Sequence, residues 1–473
     1  MLGCLRMGHA LADAASWKTE VEHMKTMKKI AAGAFVVSAG MGFLTQSAWA
    51  LLPIEHWTQP SGAQVWLVQS PGIPMVDVQV DFDAGSRRDP EDKLGLAAAV
   101  AMMSSKGIKA AGDAPALDEN GLGQAWADLG ASFGASAGRD SFSFGLRTLT
   151  VPDLQQKAVA LAARQIASPS WPEAVWQRDR ERWSASIKEA DTRPGTVASK
   201  ALRKAVFGSS PYGYQTTVDS LGRIDVSAMQ DFHRKLIAAC RAKVSVVGAV
   251  NRQQADTMVK QLLGPLQATN GNDCPPLPAV SKVQDLKQAK VENIPFESAQ
   301  AQVLIGQPGI ARNNPDFLAV MVGNHILGGG GFTSRLMEEV REKRGLTYGV
   351  SSDFSPGLDR GAFIIGLQTR PDQAAEALKV SQDVLRKFIA EGPTDKELKA
   401  AKANLIGGFA LRIDSNRKLL GNVANIAWNG LPLDYLEHWT DRVQALTTKD
   451  VKEAMQRMVQ PERMVTITLG AKP

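Results

Sequence analysis

The chain twice switches from a two-residue to a helical hydrophobic period. Val76 to Phe82 reads V-D-V-Q-V-D-F, the alternation of a strand with one apolar face. Leu94 to Met103 follows as a nearly continuous apolar run of helical length. The pair recurs later: Ala301 to Gly306 (A-Q-V-L-I-G) predicts a strand, and Phe317 to Leu327 predicts a helix. Two closing units also match. Ser227 to Cys240 is helix-like and precedes an apolar strand at Ala242 to Val250; Lys449 to Met458 precedes a strand at Arg463 to Gly470. An internal duplication accounts for these pairs. It predicts an N-terminal domain over 51–265 and a C-terminal domain over 290–473. The linker between them, 266–289, contains T-N-G-N-D-C-P-P-L-P, a cluster of turn residues. Strand-then-helix runs favour an α+β class: two homologous layered α/β domains, each a sheet backed by helices on one side. No G-x-G-x-x-G follows a strand, so a dinucleotide fold has no support.

The start of the chain reads as a targeting segment. Met27-Lys28-Lys29 is basic, Ile30 to Phe43 is apolar, and Ala48-Trp49-Ala50 has the small-x-small form of a signal peptidase site. The expectation is a start at Met27, cleavage after Ala50 and a periplasmic protein. The apolar run is shorter than the roughly 20 residues of a spanning helix, so no membrane association is expected after cleavage. The whole chain, 473 residues with 44% hydrophobic and 22% charged, is globular in composition and too long for one typical core. Its 54 Lys and Arg against 48 Asp and Glu become 49 against 45 once the five basic and three acidic residues of 1–50 are removed. The remaining charges are interspersed, with no basic run of the kind that tracks a nucleic-acid backbone. Of three cysteines, Cys240 and Cys274 stay in the mature chain. An oxidising compartment would permit a bond between them, and their spacing leaves the question open.

The chemistry-bearing stretches come one from each half. In the second, Ile326-Leu327-Gly328-Gly329-Gly330-Gly331-Phe332-Thr333-Ser334-Arg335-Leu336 runs on through Glu338-Glu339-Val340-Arg341-Glu342-Lys343-Arg344-Gly345-Leu346-Thr347-Tyr348-Gly349-Val350. The glycine run lacks a Gly-Lys-Ser/Thr ending, so a tight turn explains it better than a phosphate cradle. In the first half, Asp83-Ala84-Gly85-Ser86-Arg87 precedes Gly95-Leu96-Ala97, and Met103 and Lys106-Gly107 follow.

Together these stretches resemble the insulinase/pitrilysin (inverted-zincin) metallopeptidases, in the bacterial two-domain form. In that family the first-half helix carries H-x-x-E-H. Histidines four residues apart share a helix face and can hold one zinc ion, while the Glu takes a proton from the metal-bound water. Here those positions are Ala98, Ala101 and Met102, which can do neither. The third-ligand position falls near Asp179, within a charged stretch from Gln177 to Trp183. After cleavage only His56, His233, His325 and His438 would remain, and no two lie within a helical turn in sequence.

The resemblance implies a mitochondrial-processing-peptidase-like metallohydrolase fold. It assigns substrate contacts to Arg341 and Tyr348, which in the family reach across to a substrate held at zinc. A guanidinium donates to peptide carbonyls as a fixed fork, and a phenol can donate to an oxyanion. Gly345 is expected to end a helix, with Tyr348 opening the strand Tyr348 to Phe354. The resemblance also assigns a substrate-pairing edge strand to Ala131, Ser132, Phe133, Gly134 and Ala135. It points to a zinc-less subunit with no cofactor of its own, partnered by a zinc-bearing insulinase-family subunit and acting on unfolded peptides. The alternatives are a non-enzymatic scaffold or peptide-binding protein of the same fold, and a standalone peptidase with a rearranged zinc site.

Overall fold

A computed structural model of the chain describes residues 53–266 and 274–472. The predicted signal segment and part of the predicted linker lie outside the described residues. The described residues form thirteen strands: β1 (Glu55–Thr58), β2 (Gln64–Gln69), β3 (Met75–Phe82), β4 (Gly107–Ile108), β5 (Leu117–Asp118), β6 (Ser132–Ala137), β7 (Phe142–Leu149), β8 (Lys243–Gly248), β9 (Lys290–Ile294), β10 (Ala301–Pro308), β11 (Val350–Phe354), β12 (Ala362–Thr369) and β13 (Val465–Leu469). The first half forms a six-stranded sheet in the order β1-β2-β8-β3-β7-β6, and the second a five-stranded sheet in the order β11-β12-β10-β13-β9. β4 and β5 make a small separate pair.

The duplication is visible in the pairing. β3 lies antiparallel between β7 and β8, as β10 lies antiparallel between β12 and β13. Each sheet also has one parallel pair, β2 with β8 and β9 with β13. β6 and β11 are therefore corresponding edge strands, each paired on one side only. The predicted closing helices appear as Val226–Leu236 and Thr448–Met458. The first stops short of Cys240, which sits in a separate short turn, Ala239–Arg241.

Helices do not back each sheet on one side alone, as the sequence led us to expect. Helix Pro194–Phe207 belongs to the first half by sequence but packs on β10 and β13 of the second sheet. Helix Asn416–Asn429 belongs to the second half and packs on β8, β3 and β2 of the first. Ala198, Leu202, Val206 and Phe207 form one small core with Val465, Ile467 and Leu469. Trp66, Val68 and Val247 form another with Val423 and Ala427. The exchange explains why β3 is buried on both faces although its sequence alternates. Its polar residues are paired: Asp77 takes both donors of Arg147 at 2.6 and 2.9 Å, and Asp81 accepts from Ser143 and Gln79. Gly306 in β10 leaves room for the exchanged helix, since a Cβ there would lie 3.2 Å from Leu202 Cδ1. Lys243 of β8 donates to the carbonyls of Ala427 and Trp428, at the C-terminal end of the other exchanged helix, where its dipole favours a cation.

A polar knot ties the halves together as well. Tyr212 donates to Asp140 at 2.5 Å, and the amides of Leu358 and Asp359 donate to Asp140 and to the Tyr212 hydroxyl. Cys240 and Cys274 are disulfide-bonded, fastening the described part of the linker to the end of the first half.

Candidate functional site

The predicted zinc helix is Leu96–Met103. Gly95, in the left-handed region at φ 103°, starts it, and Asp89 accepts from the amides of Gly95 and Ala97 at 2.8 and 2.9 Å. Burial pushes the Asp89 carboxyl up to about 6 despite those amides. The helix packs against the edge strand β6 and the Val226 helix. Ala101 is 8% exposed, while Ala98 and Met102 are half-buried. What would be the reactive face of a zinc helix thus carries only apolar side chains, Ala101 packed away and Ala98 and Met102 partly open.

Asp179 lies in helix Glu173–Ala190 and is buried. Arg178 donates to it at 2.8 Å, Lys106 stands 3.5 Å away, and Arg182 lies at 3.8 Å. Glu119 joins the same network through Lys106 at 2.5 Å and Arg178 at 3.4 Å. The Arg178 hydrogen bond, opposed by burial and helped by Lys106, holds the Asp179 carboxyl below the usual carboxylate range. The carboxylate at the third-ligand position is therefore balanced by side-chain cations, so it is not the solvated helix-face residue that its charged surroundings in sequence suggest. Among the described residues no cluster of three His, Cys, Asp or Glu could hold a metal ion. The histidines are dispersed: His56 is beside Trp66, His233 meets the Ile166 carbonyl, and His438 lies near Asp434.

The substrate-pairing strand of the resemblance is β6, with Ala131 immediately before it. Phe133 turns inward, stacked on Trp126 at 5.4 Å and near Phe144 at 5.8 Å. Ser132, Gly134 and Ser136 are exposed, and a Cβ at Gly134 would meet nothing within 4 Å. The outer edge of β6 is unpaired, which suits strand addition.

In the second half the glycine-rich helix continues past Asn324 into widened π turns, His325–Gly329, and a second π segment, Met337–Glu342, carries Arg341. Arg341 lies over the exposed ring of Phe332 at 4.6 Å. Gly345, at φ 63°, ends the helical turns, and its amide donates to the Arg341 carbonyl. The strand opens at Val350, so Tyr348 lies in the bend before β11 and is not the first strand residue. Thr347 donates to the Gln368 carbonyl at 2.6 Å and accepts from the Gly349 amide at 3.1 Å, fixing the bend ahead of the ladder. Tyr348 projects from that anchored bend 88% exposed, with no hydrogen-bond partner among the described residues. The cleft at Ala98 is lined entirely by first-half residues, so neither Arg341 nor Tyr348 contributes to it. Two features escaped the sequence reading. One is the pairing of Asp179 by Lys106 and Arg178. The other is a set of basic side chains around that cleft, spread over residues whose common wall only the fold creates.

Two family models match the chain in tandem, "Insulinase (Peptidase family M16)" over residues 64–220 and "Peptidase M16 inactive domain" over 223–405. The crystal structure of a peptidase M16 inactive domain from Pseudomonas fluorescens is 34% identical, with TM-score 0.83, over 89% of this chain and 98% of that one. An uncharacterized zinc protease of Streptomyces coelicolor is 29% identical over 56% of this chain and 58% of its own length. A protein of Helicobacter pylori named a non-peptidase homolog is 23% identical over 80% of this chain and 85% of its own. With both halves matched in order and a structural relative aligned along nearly its full length, the chain belongs to the insulinase (M16) peptidase family.

Proposed function

We propose that this chain is the metal-less subunit of a two-subunit M16 peptidase. It closes one side of a peptide chamber and presents Arg341 and Tyr348 to a substrate held at a partner's zinc. One observation carries the reading: the two half-sites have diverged within a single molecule. The metal positions are Ala98, Ala101 and Met102, with Asp179 balanced by Lys106 and Arg178, while Tyr348 stands exposed and unpartnered on an anchored bend. A chain with no remaining link to catalysis would gain nothing from that exposed tyrosine. In the partner's active site the Arg341 fork would grip a substrate carbonyl and the Tyr348 phenol would stabilise a developing oxyanion. The free edge of β6 offers a strand on which an unfolded peptide can extend. A periplasmic location is part of the proposal, supported by the signal-like segment and by the Cys240–Cys274 disulfide, a bond that oxidising compartments retain.

The test is co-expression with the neighbouring gene product, if that product carries H-x-x-E-H, and measurement of unfolded-peptide cleavage by each chain and by the pair. The pair should far exceed either alone. A pair no faster than the partner alone would leave this chain a scaffold or peptide-binding protein.

A further inference from the structure

We propose that the cleft beneath Ala98 is a receptor for a carboxylate carried by an extended peptide. The inference rests on the peptide-binding reading of β6 but requires no zinc-bearing partner. The cleft has a volume of about 820 Å³, ample for a side chain or a chain end. Ala98 forms part of its wall, so a larger residue at that position would narrow the space that the alanine leaves open. Arg193, Lys200 and Arg203 line it. Lys200 is paired with Asp191, but the side chains of Arg193 and Arg203 make no ion pair or hydrogen bond among the described residues. Arg139, stacked on Tyr212 at 5.2 Å and also without an acidic partner among the described residues, adds further positive charge near Arg203. Burial and Arg139 both push the Arg203 guanidinium below its ordinary pKa, as expected of a cation lacking a counter-ion.

The one carboxylate in the lining, Asp89, is already committed to the amides of Gly95 and Ala97. The hydroxyls of Thr196, Ser199 and Thr216 also line the cleft and have no partner among the described residues. Unpaired guanidinium forks with adjacent hydroxyl donors match a carboxylate. Ala137, the last residue of β6, is part of the same wall, so a peptide added to that edge reaches the cleft. The carboxylate can come from a chain terminus or from an Asp or Glu side chain.

The test uses the purified chain alone and a fluorescent ten-residue extended peptide in four forms. These combine a free or amidated C-terminus with an internal Glu or Gln. Neutralising the group that the cleft reads should weaken binding about tenfold or more, the size expected for a charge-assisted hydrogen-bonded pair. The amide and Gln arms show which source is read. Arg193→Gln with Arg203→Gln should abolish the preference, bringing the four peptides to one common affinity. Ala98→Phe, which narrows the cleft without altering its charge, should weaken the preference and guards against misfolding of the double variant. Equal affinity for all four peptides, binding of none, or a preference that survives both variants would overturn the proposal. Partner-dependent cleavage would stand or fall separately.

Discussion

The exchanged helices make Leu202→Ala an informative substitution. Leu202 sits in the first half by sequence and at 2% exposure in the core shared with Val465, Ile467 and Leu469. Truncation to alanine removes about three methylene equivalents, worth about 2.4 kcal/mol in transfer alone. The cavity facing β10 and β13 adds to that, so a total of about 3 kcal/mol is expected, within the range for buried Leu→Ala changes. If the helix is a structural part of the second sheet, the loss appears there. Amide exchange across β10 and β13 should accelerate by up to about a hundredfold for openings that expose this core, since each 1.4 kcal/mol is about a factor of ten. Exchange in β7, at the far side of the first sheet, should change only through global unfolding. Hydrogen exchange read by mass spectrometry separates the cases. Acceleration confined to the first half, with β10 and β13 unmoved, would refute the exchanged-helix account.

Three further outcomes follow from particular contacts. Glu397 is opposed by burial but held by Arg335 and Thr394, which bring its carboxyl down to about 2. A depressed acid stabilises the fold above its unfolded pKa and loses that contribution as pH falls, so about 2 kcal/mol after allowance for solvent screening should disappear between about pH 4.5 and 2, and Arg335→Met should shrink that limb of an acid-unfolding curve to the part Thr394 supplies. Reducing the Cys240–Cys274 bond, with a sequence separation of 34, should cost about 3–4 kcal/mol in chemical unfolding on the loop-entropy estimate, and an unchanged unfolding midpoint would contradict it. Restoring H-x-x-E-H through Ala98→His, Ala101→Glu and Met102→His should still give weak zinc binding by calorimetry, because Lys106 and Arg178 hold Asp179 and because Ala101 is 8% exposed. Adding Lys106→Met should raise the affinity, and tight binding by the triple variant alone would contradict this view of Asp179.

Much of the fold was legible because period and length specify it locally. The alternation at Val76–Phe82 and the paired closing helix and strand units gave the duplication, and strand pairing bears it out. Helix exchange was not legible: nothing in Pro194–Phe207 says which sheet its apolar face will meet. The alternation of β3 even misled, because Asp77 and Asp81 look like solvent-facing residues until Arg147 and Ser143 are brought opposite them. At the candidate site, residue identity alone revealed the missing metal ligands. Tyr348 was placed one element too late, because the Thr347 hydrogen bonds that delay the strand depend on β12. The basic cleft was invisible because Ala98, Arg193 and Arg203 share a wall only after folding.

The most direct measurement of the central claim is peptide cleavage by the assembled pair, with wild-type chain compared against Tyr348→Phe. Phenylalanine keeps the ring and removes the hydroxyl, and at 88% exposure it should leave the fold of this chain unchanged. The account predicts that kcat falls about a hundredfold or more, the usual effect of losing one oxyanion donor, while the pair still assembles and binds peptide. Unchanged cleavage by the Tyr348→Phe pair would contradict it.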